Sequence, residues 1–274
     1  MESSPFTAVA APLQPVTPVR PPAGYIGGKR NLARRLVARI DAIDHNLYAE
    51  PFIGMGGIFF RRRRRPQAEI INDVSADVTT LFRILQRHYQ PFLDMLKWRF
   101  ASRAEFDRLL AVDPDTCTDL ERAARFLYLQ RTAFGGKVVG RSFGVSYGAP
   151  SKFRLSTLEP LLQDIHDRLE PVQIERLSYD AFIRRCDRPG ALFYIDPPYH
   201  GCERDYGPDV FSPADFERLR DLLADLRGRF VLSINATPEM RALFASFDVE
   251  EVSVTYSLPG MDKAARVTEL IVSN

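Results

Sequence analysis

The chain has 274 residues, 45% of them apolar, and its 37 lysines and arginines against 35 aspartates and glutamates leave a formal net charge of +2. That length accommodates one large α/β domain with an inserted region, and so small a net charge excludes arguing a polyanion partner from bulk charge alone. No window approaches the roughly 18 uninterrupted apolar residues of a membrane span, no export signal is visible, and Cys117, Cys186 and Cys202 lack disulfide-framework or zinc spacing, which fits a reducing, cytoplasmic compartment.

Residues 1–22 carry Pro5, Pro12, Pro15, Pro18, Pro21 and Pro22 among small residues and read as a disordered leader, because such a stretch resists helix and buries little. Leu32, Leu36, Val37 and Ile40 recur at helical spacing with arginines opposite, predicting an amphipathic helix over 31–40. "NLYAEPFIG" predicts a short strand, "GGIFFRRRRR" a helix opening on glycine, "AEIINDV" a second strand and "SADVTTLFRILQRH" a helix capped by Ser75. This β-α-β-α order implies a parallel sheet. From 91 to 170 helical patterns such as "TDLERAARFLYLQRT" take over, interrupted by the glycine-rich "FGGKVVGRSFGVSYG", and mark an insertion. Sheet pattern returns with "PVQIERL", "ALFYID" and "RFVLSIN", the last two separated by the helix "SPADFERLRDLLADLRG". "VEEVSVTYS" and "ARVTELIVSN", joined by "LPGMDKA", close the chain as an antiparallel hairpin.

"EPFIGMGG" falls at a strand-to-helix junction, where Gly54 and Gly56 let the backbone approach a ligand. The next strand ends in Asp73, at the sheet edge where ligands of open α/β sheets bind. A carboxylate there suits ribose hydroxyls, since it accepts from two vicinal O–H groups. The dinucleotide fingerprint G-x-G-x-x-G is not met, because Gly57 is followed by "IFFRRRRR". A nucleoside-type cofactor without a diphosphate therefore fits better.

"DPPY", Asp196 to Tyr199, closes a third buried strand, and Pro197 and Pro198 carry the chain stiffly out of the sheet. Asp196 beside the Pro197 carbonyl offers two adjacent acceptors for a planar amino group. Tyr199 adds a face on which a base can stack.

These residues resemble the Dam-like, alpha-group S-adenosylmethionine-dependent DNA adenine-N6 methyltransferases, from about Tyr25 to the C-terminus. "YIGGK" is similar to their N-terminal cofactor motif, "EPFIGMGG" to the F-x-G-x-G loop, "INDVSADV" to the ribose-binding segment and "DPPY" to the catalytic corner. "FLYLQRTAFGG" resembles the segment opening their DNA-recognition part, and "VTELIVSN" their closing strand. The resemblance implies a Rossmann-like methyltransferase sheet, mostly parallel with a C-terminal antiparallel hairpin, built from 23–90 and 171–274, with 91–170 as a mainly helical DNA-recognition insertion.

It further implies S-adenosylmethionine as cofactor, double-stranded DNA as substrate, no metal, and a monomer. The target adenine is flipped out and stacks on Tyr199 while Asp196 and the Pro197 carbonyl accept from N6. Lys29 would reach the cofactor's carboxylate with Tyr25 packed nearby, Glu50, Phe52, Gly54, Gly56 and Asp73 would line its site, and Asp180 would accept from its adenine amino group. Asn235 falls near the target base or simply ends a strand. Arg131, Lys137 and Arg141 in the glycine-rich segment are the DNA contacts expected, with Arg61 to Arg65 as a further basic run at a helix end. Cytosine-N4 methylation is the alternative within the class; a nucleotide-dependent oxidoreductase and a catalytically silent DNA-binding protein are the alternatives outside it.

Overall fold

The computed structural model describes residues 12–145, 148–207, 210–256 and 265–274, so residues 1–11 of the expected leader and the "LPGMDKA" connection lie outside the described residues. The first element is β1 (Gln14–Pro15), and α1 (Ala33–Asp41) follows, with Leu36, Val37 and Ile40, and Leu32 just before it, buried as their spacing predicts. Next come β2 (Leu47–Glu50), β3 (Arg64–Arg65), β4 (Ala68–Asn72) and α2 (Ala76–Arg87), which is capped by the Ser75 hydroxyl accepting from the Val78 N–H. The insertion supplies α3 (Tyr89–Leu96), α4 (Arg103–Ala111), α5 (Asp119–Thr132) and α6 (Leu155–Leu169). A complete capping box between Thr118 and Glu121 starts α5. The chain then returns to the sheet through β5 (Gln173–Glu175), α7 (Tyr179–Cys186), β6 (Ala191–Ile195), α8 (Pro213–Ala224) and β7 (Arg229–Asn235). A short α9 (Pro238–Leu243) leads to β8 (Asp248–Tyr256) and β9 (Ala265–Ser273).

The main sheet has the order β5-β4-β2-β6-β7-β9-β8. β5, β4, β2, β6 and β7 are parallel, while β9 runs antiparallel to β7 and β8 antiparallel to β9. This is the expected Rossmann-like, mostly parallel α/β sheet. Every residue of β2 and of β6 is buried, as both faces of a central parallel strand must be. The sheet changes winding direction between β2 and β6, and the carboxyl ends of these strands, with that of β4, bound one crevice. Glu50, Asp73 and Asp196 stand at that edge.

Two expectations need correcting. Residues 12–22 are not a loose leader: Val16 N–H donates to Arg63 O, Val19 N–H to Phe60 O, Val19 and Pro22 are buried and Pro21 is half-buried. Proline denies this segment a helix, but an edge pairing of β1 with β3 needs few N–H donors. "GGIFFRRRRR" is not a helix opening on Gly56; a turn and a single 3-10 stretch, Phe59–Arg61, give way to β3. Phe59 and Phe60 are both fully buried there, and satisfying that apolar pair outweighs helical propensity. The insertion shares its core with the sheet, since one apolar cluster runs from Leu36 and Phe60 through Leu81 and Phe82 of α2 to Phe106, Phe126 and Leu162. The opposite face of the sheet packs Phe182, Phe193, Leu219 and Phe230 beneath α7 and α8.

Candidate active site

A cleft of about 250 Å³ opens at the crevice, lined among others by Tyr25, Lys29, Glu50, Phe52, Gly54, Asp73, Asp196, Pro198 and Tyr206. Asp73 is placed by the end of β4 and fixes its surroundings: Oδ2 accepts from Gly54 N–H at 2.9 Å and Oδ1 from Ser75 N–H at 2.9 Å. Burial pushes its pKa up to about 6, with those two N–H donors opposing the rise. Gly54 has φ of 49°, and a Cβ there would stand 3.0 Å from the Tyr25 ring, so the loop needs glycine to admit Tyr25. Gly56 plays a different part from the one expected. Its φ is 72° and a Cβ would collide with the Phe60 ring, so it makes room for a core aromatic and not for a ligand.

Asp196 follows the last residue of β6, with Pro197 and Pro198 buried behind it. Its Oδ1 accepts from Ser233 Oγ at 3.2 Å, and the Ser233 and Tyr194 hydroxyls are 2.8 Å apart in the buried sheet. Lys29 Nζ lies 2.6 Å from the same oxygen. Among the described residues, Asp196 Oδ2 takes no such partner and remains available at the cleft. Burial raises the Asp196 pKa, and the Lys29 ammonium is the largest force pulling it back toward the ionised form.

Lys29 stands in the cleft wall with its ammonium engaged by groups of the protein itself. Only 2% exposed, it donates to Gly27 O at 3.0 Å, pairs with Asp196 and holds its ammonium 4.3 Å from the centre of the Tyr199 ring. Arg30 and Arg61 are the other cations of the cleft wall. Tyr199 is anchored by its hydroxyl, which donates to Glu269 of β9. Glu50 is 1% exposed and accepts from the Tyr48 hydroxyl at 2.5 Å. Desolvation raises its pKa to about 8, so it is neutral in the ligand-free protein at pH 7.

Phe52 belongs also to a second, adjoining cleft of about 600 Å³, which contains Val74, Leu177, Tyr179 and Asp180. Its ring stacks on Tyr179 with centroids 5.5 Å apart and meets Phe211 edge-on at 5.9 Å, a flat aromatic wall. Asp180, exposed in the first turn of α7, is held ionised chiefly by a hydrogen bond from Ser178. The two clefts share Phe52, Val74 and Val210, and so form one continuous wall from Asp196 to Asp180.

Asn235 is not directed to a base. Its Oδ1 accepts from His200 N–H at 3.0 Å and its Nδ2 donates to His200 O at 2.9 Å, which clamps the chain just after Tyr199. Sequence reasoning also missed Tyr206, whose hydroxyl donates to Ile26 O at 3.2 Å across the cleft, along with Ser233 and Glu269. A polar residue inside each of the apolar runs "VLSIN" and "ELIVS" was the available signal for the last two.

The basic residues divide. Arg131 is committed to backbone carbonyls, donating to Pro22 O at 2.6 Å and Lys152 O at 2.8 Å. Arg141 donates to Gln130 Oε1 at 3.2 Å and to Lys137 O at 3.1 Å, whereas the Lys137 side chain is exposed. A short bridge between Ala133 and Phe143 ties the base of this glycine-rich loop. In the run 61–65, Arg62 is fully buried: it pairs with Glu69 at 2.6 Å and stacks 3.6 Å from the centre of the Tyr48 ring. Arg168 of α6 completes that ionic cluster at 2.6 Å from Glu69. Arg61 turns its guanidinium to Gly57 O, leaving Arg63 and Arg64 as the exposed members.

A family profile described as "D12 class N6 adenine-specific DNA methyltransferase" matches residues 25–258. A Type II methyltransferase of Lactococcus lactis subsp. cremoris is 28% identical over 276 residues, covering 93% of this chain and 95% of its own. The DNA N-6-adenine-methyltransferase of Escherichia phage P1 is 31% identical over 220 residues, or 73% of this chain and 28% of its own. Among solved structures, the ribosomal protein L11 methylase of Lactobacillus delbrueckii subsp. bulgaricus aligns over 89% of this chain and 76% of its own, at 9% identity and a TM-score of 0.35.

Proposed function

The chain belongs to the D12 class N6 adenine-specific DNA methyltransferases, and from that premise we propose that S-adenosylmethionine lies along the two joined clefts with Asp196 as the acceptor for the target amino group. The donor set fits such a cofactor: Glu50, Asp73 and Asp196 turn three carboxyl groups to a cleft of about 250 Å³, an arrangement suited to a ligand bearing an ammonium and a sulfonium. Asp73 holds the ribose hydroxyls, Glu50 the ammonium, and Phe52 with Tyr179 and Asp180 the adenine. Arg30 or Arg61, not Lys29, meets the carboxylate. When bound, the cofactor supplies an electrophilic methyl group on sulfur.

The observation that carries this reading is the division of the Asp196 carboxylate. Oδ1 is occupied by Lys29 and Ser233, which fixes the group's orientation and favours its charge. Oδ2 then accepts one N6–H of an adenine turned out of the duplex, while the Pro197 carbonyl accepts the other. With both protons held, the nitrogen lone pair would be directed away from the ring and toward the methyl group that a bound cofactor would supply. The proton released from N6 passes to Asp196 Oδ2 and on to solvent. Catalysis is orientation plus electrostatics, with no covalent enzyme intermediate. A single chain carries the whole set, so a monomer suffices.

Duplex DNA is approached by Lys137, by Arg141 once it leaves Gln130, and by Arg63 and Arg64 through phosphates. Purified protein, S-adenosylmethionine and unmethylated plasmid, followed by single-molecule sequencing, test the reading. Modification of adenine in one short sequence is expected, and its absence in Asp196→Ala with the melting temperature retained. Undiminished methylation by that variant would remove Asp196 from the reaction.

A further inference from the structure

Glu269 lies inside β9, 0% exposed, and accepts from the Tyr199 hydroxyl, 70 residues away in the chain. Its cross-strand neighbour on β7 is Asn235, whose amide clamps the His200 backbone at 2.9 and 3.0 Å. Ser233, also on β7, donates to Asp196 Oδ1. The strands β7 and β9 therefore grip the Asp-Pro-Pro-Tyr corner at the Asp196 carboxyl group, at the Tyr199 hydroxyl and at the backbone just beyond.

A tyrosine ring turns about two side-chain bonds, and the sheet fixes neither here, because Tyr199 lies beyond Pro198 and outside β6. Glu269 restrains the far end of the ring, while the Lys29 ammonium stands over it, 4.3 Å from the centroid. The ring thus keeps one plane before any base arrives. A buried acid is a costly way to fill this part of the strand, where Leu270, Ile271 and Val272 are fully buried. An apolar pair of similar volume at 199 and 269 would pack without that cost, so fold stability alone does not account for the glutamate. A fixed plane for the stacked base does, since orientation secured in advance lowers the barrier to transfer.

We infer that Glu269 is a positioning residue of the methyl transfer, acting through the Tyr199 hydroxyl to hold the ring on which the target base stacks. The inference rests on the reading of Tyr199 as that stacking face and adds a residue of β9 to it. Among the described residues that line the two joined clefts, Glu269 does not figure. It therefore governs the transfer step and leaves cofactor binding alone.

Single-turnover methylation of unmethylated plasmid at saturating S-adenosylmethionine is measured for the full chain, together with calorimetric binding of sinefungin, a non-transferable analogue of the cofactor. Glu269→Leu removes the acceptor, and the transfer rate is expected to fall about tenfold or more, as it does for a misplaced reactant, with sinefungin affinity unchanged. Glu269→Gln keeps an acceptor for the hydroxyl and should recover most of that rate. Tyr199→Phe breaks the same bond from the other side, so it should slow transfer comparably, and combining it with Glu269→Leu should cost no more than the slower single change. A wild-type rate in Glu269→Leu, a Glu269→Gln variant as slow as it, losses that multiply in the double variant, or a parallel fall in sinefungin affinity overturns the inference. Should Glu269→Leu fail to fold, Tyr199→Phe decides, and transfer at the wild-type rate overturns it. The underlying reading fails differently: Tyr199→Ala methylating at the wild-type rate would remove the ring from the reaction altogether.

Discussion

Lys29 and Asp196 tie the 24–29 segment to the Asp-Pro-Pro-Tyr corner through an ion pair of 2.6 Å between groups separated by most of the chain. The ammonium offsets the desolvation that otherwise favours the protonated acid, and it does so at the oxygen that Ser233 also contacts. Lys29→Met should therefore raise the Asp196 pKa further and move the acidic limb of the pH–rate profile to higher pH. Each unit of that displacement costs about tenfold in the ionised fraction below the new pKa. Plasmid methylation rates from pH 5 to 9 provide the check, and an acidic limb at its original position would show that the lysine does not act through Asp196.

Asp73 titrates near pH 6 in the ligand-free protein, raised by burial against its two N–H donors. Only the carboxylate accepts from both ribose hydroxyls, so S-adenosylmethionine affinity should fall as the pH drops through 6. Replacement by alanine also removes an anchor of Gly54, and a loss of ten- to a hundredfold in cofactor affinity is expected, on the order of 1.5–3 kcal/mol for bonds to a charged group. Calorimetric titration at pH 5.5 and 7.5, for wild type and Asp73→Asn, decides it: a pH-independent affinity would contradict the role.

Why Asp73 and Asp196 are legible in the sequence, and Lys29 and Arg62 less so, has one physical cause. An acid that closes an apolar run is placed by the strand itself, because parallel strands end on a common edge. The destination of a long cationic side chain is settled by partners remote in sequence: Glu69 is joined to Arg168, 99 residues away, and Arg131 to Pro22, 109 residues away. No local pattern encodes those meetings. The strands, their mostly parallel arrangement and the closing hairpin are legible from hydrophobic periodicity and element order, while the leader and the "GGIFF" segment depart from it because edge pairing and aromatic burial override composition. Ser233 and Glu269 are visible as polar residues in apolar strands, and a rule that asks where such groups find partners would find both.

Glu50 makes stability depend on pH in the direction opposite to an ordinary salt-bridged acid. Its folded pKa of about 8 exceeds its usual value of 4.5, so between these pH values the folded protein binds more protons than the unfolded chain. The stabilisation present below pH 4.5 is then lost as the pH rises toward 8, with a slope of up to about 1.4 kcal/mol per unit. Asp73 adds to the same fall over its lower range, from 3.8 to about 6. Glu50→Gln should flatten the curve and melt above wild type at pH 8 in the absence of cofactor. Parallel melting curves across pH 5 to 8 would mean that Glu50 is not neutral in the fold.

The buried cluster Arg62–Glu69–Arg168 predicts a separation of roles within the arginine run. Arg62→Ala strands buried Glu69 with one partner fewer, and should destabilise by about 3–5 kcal/mol. Its DNA affinity, measured below the melting transition, should keep the wild-type salt slope. Arg63→Ala should do the reverse, leaving melting within about 0.5 kcal/mol and lowering the salt slope by about one unit. Equal stability in the two variants would argue against the burial of Arg62.

Arg131, Lys137 and Arg141, which sequence alone groups together, differ in what they hold. Arg131 donates to Pro22 O and Lys152 O, so its removal unties the N-terminal segment and the chain before α6; Arg131→Ala should lower the melting temperature while leaving sequence preference intact. Lys137 is exposed and carries a compact charge, which binds phosphate without reading sequence. Lys137→Ala should thus weaken DNA binding evenly and reduce the salt slope by about one unit. Arg141 alone combines a planar donor fork with an alternative partner in Gln130, and removing a base-reading guanidinium costs about 1–3 kcal/mol and relaxes one position of the site. Methylation of a library of randomised duplexes at two salt concentrations resolves all three, because each side chain leaves a different mark: stability, slope or preference. Should Arg131→Ala relax the recognised sequence while Arg141→Ala leaves it unchanged, the assignments are exchanged and the backbone bonds of Arg131 must break when DNA binds.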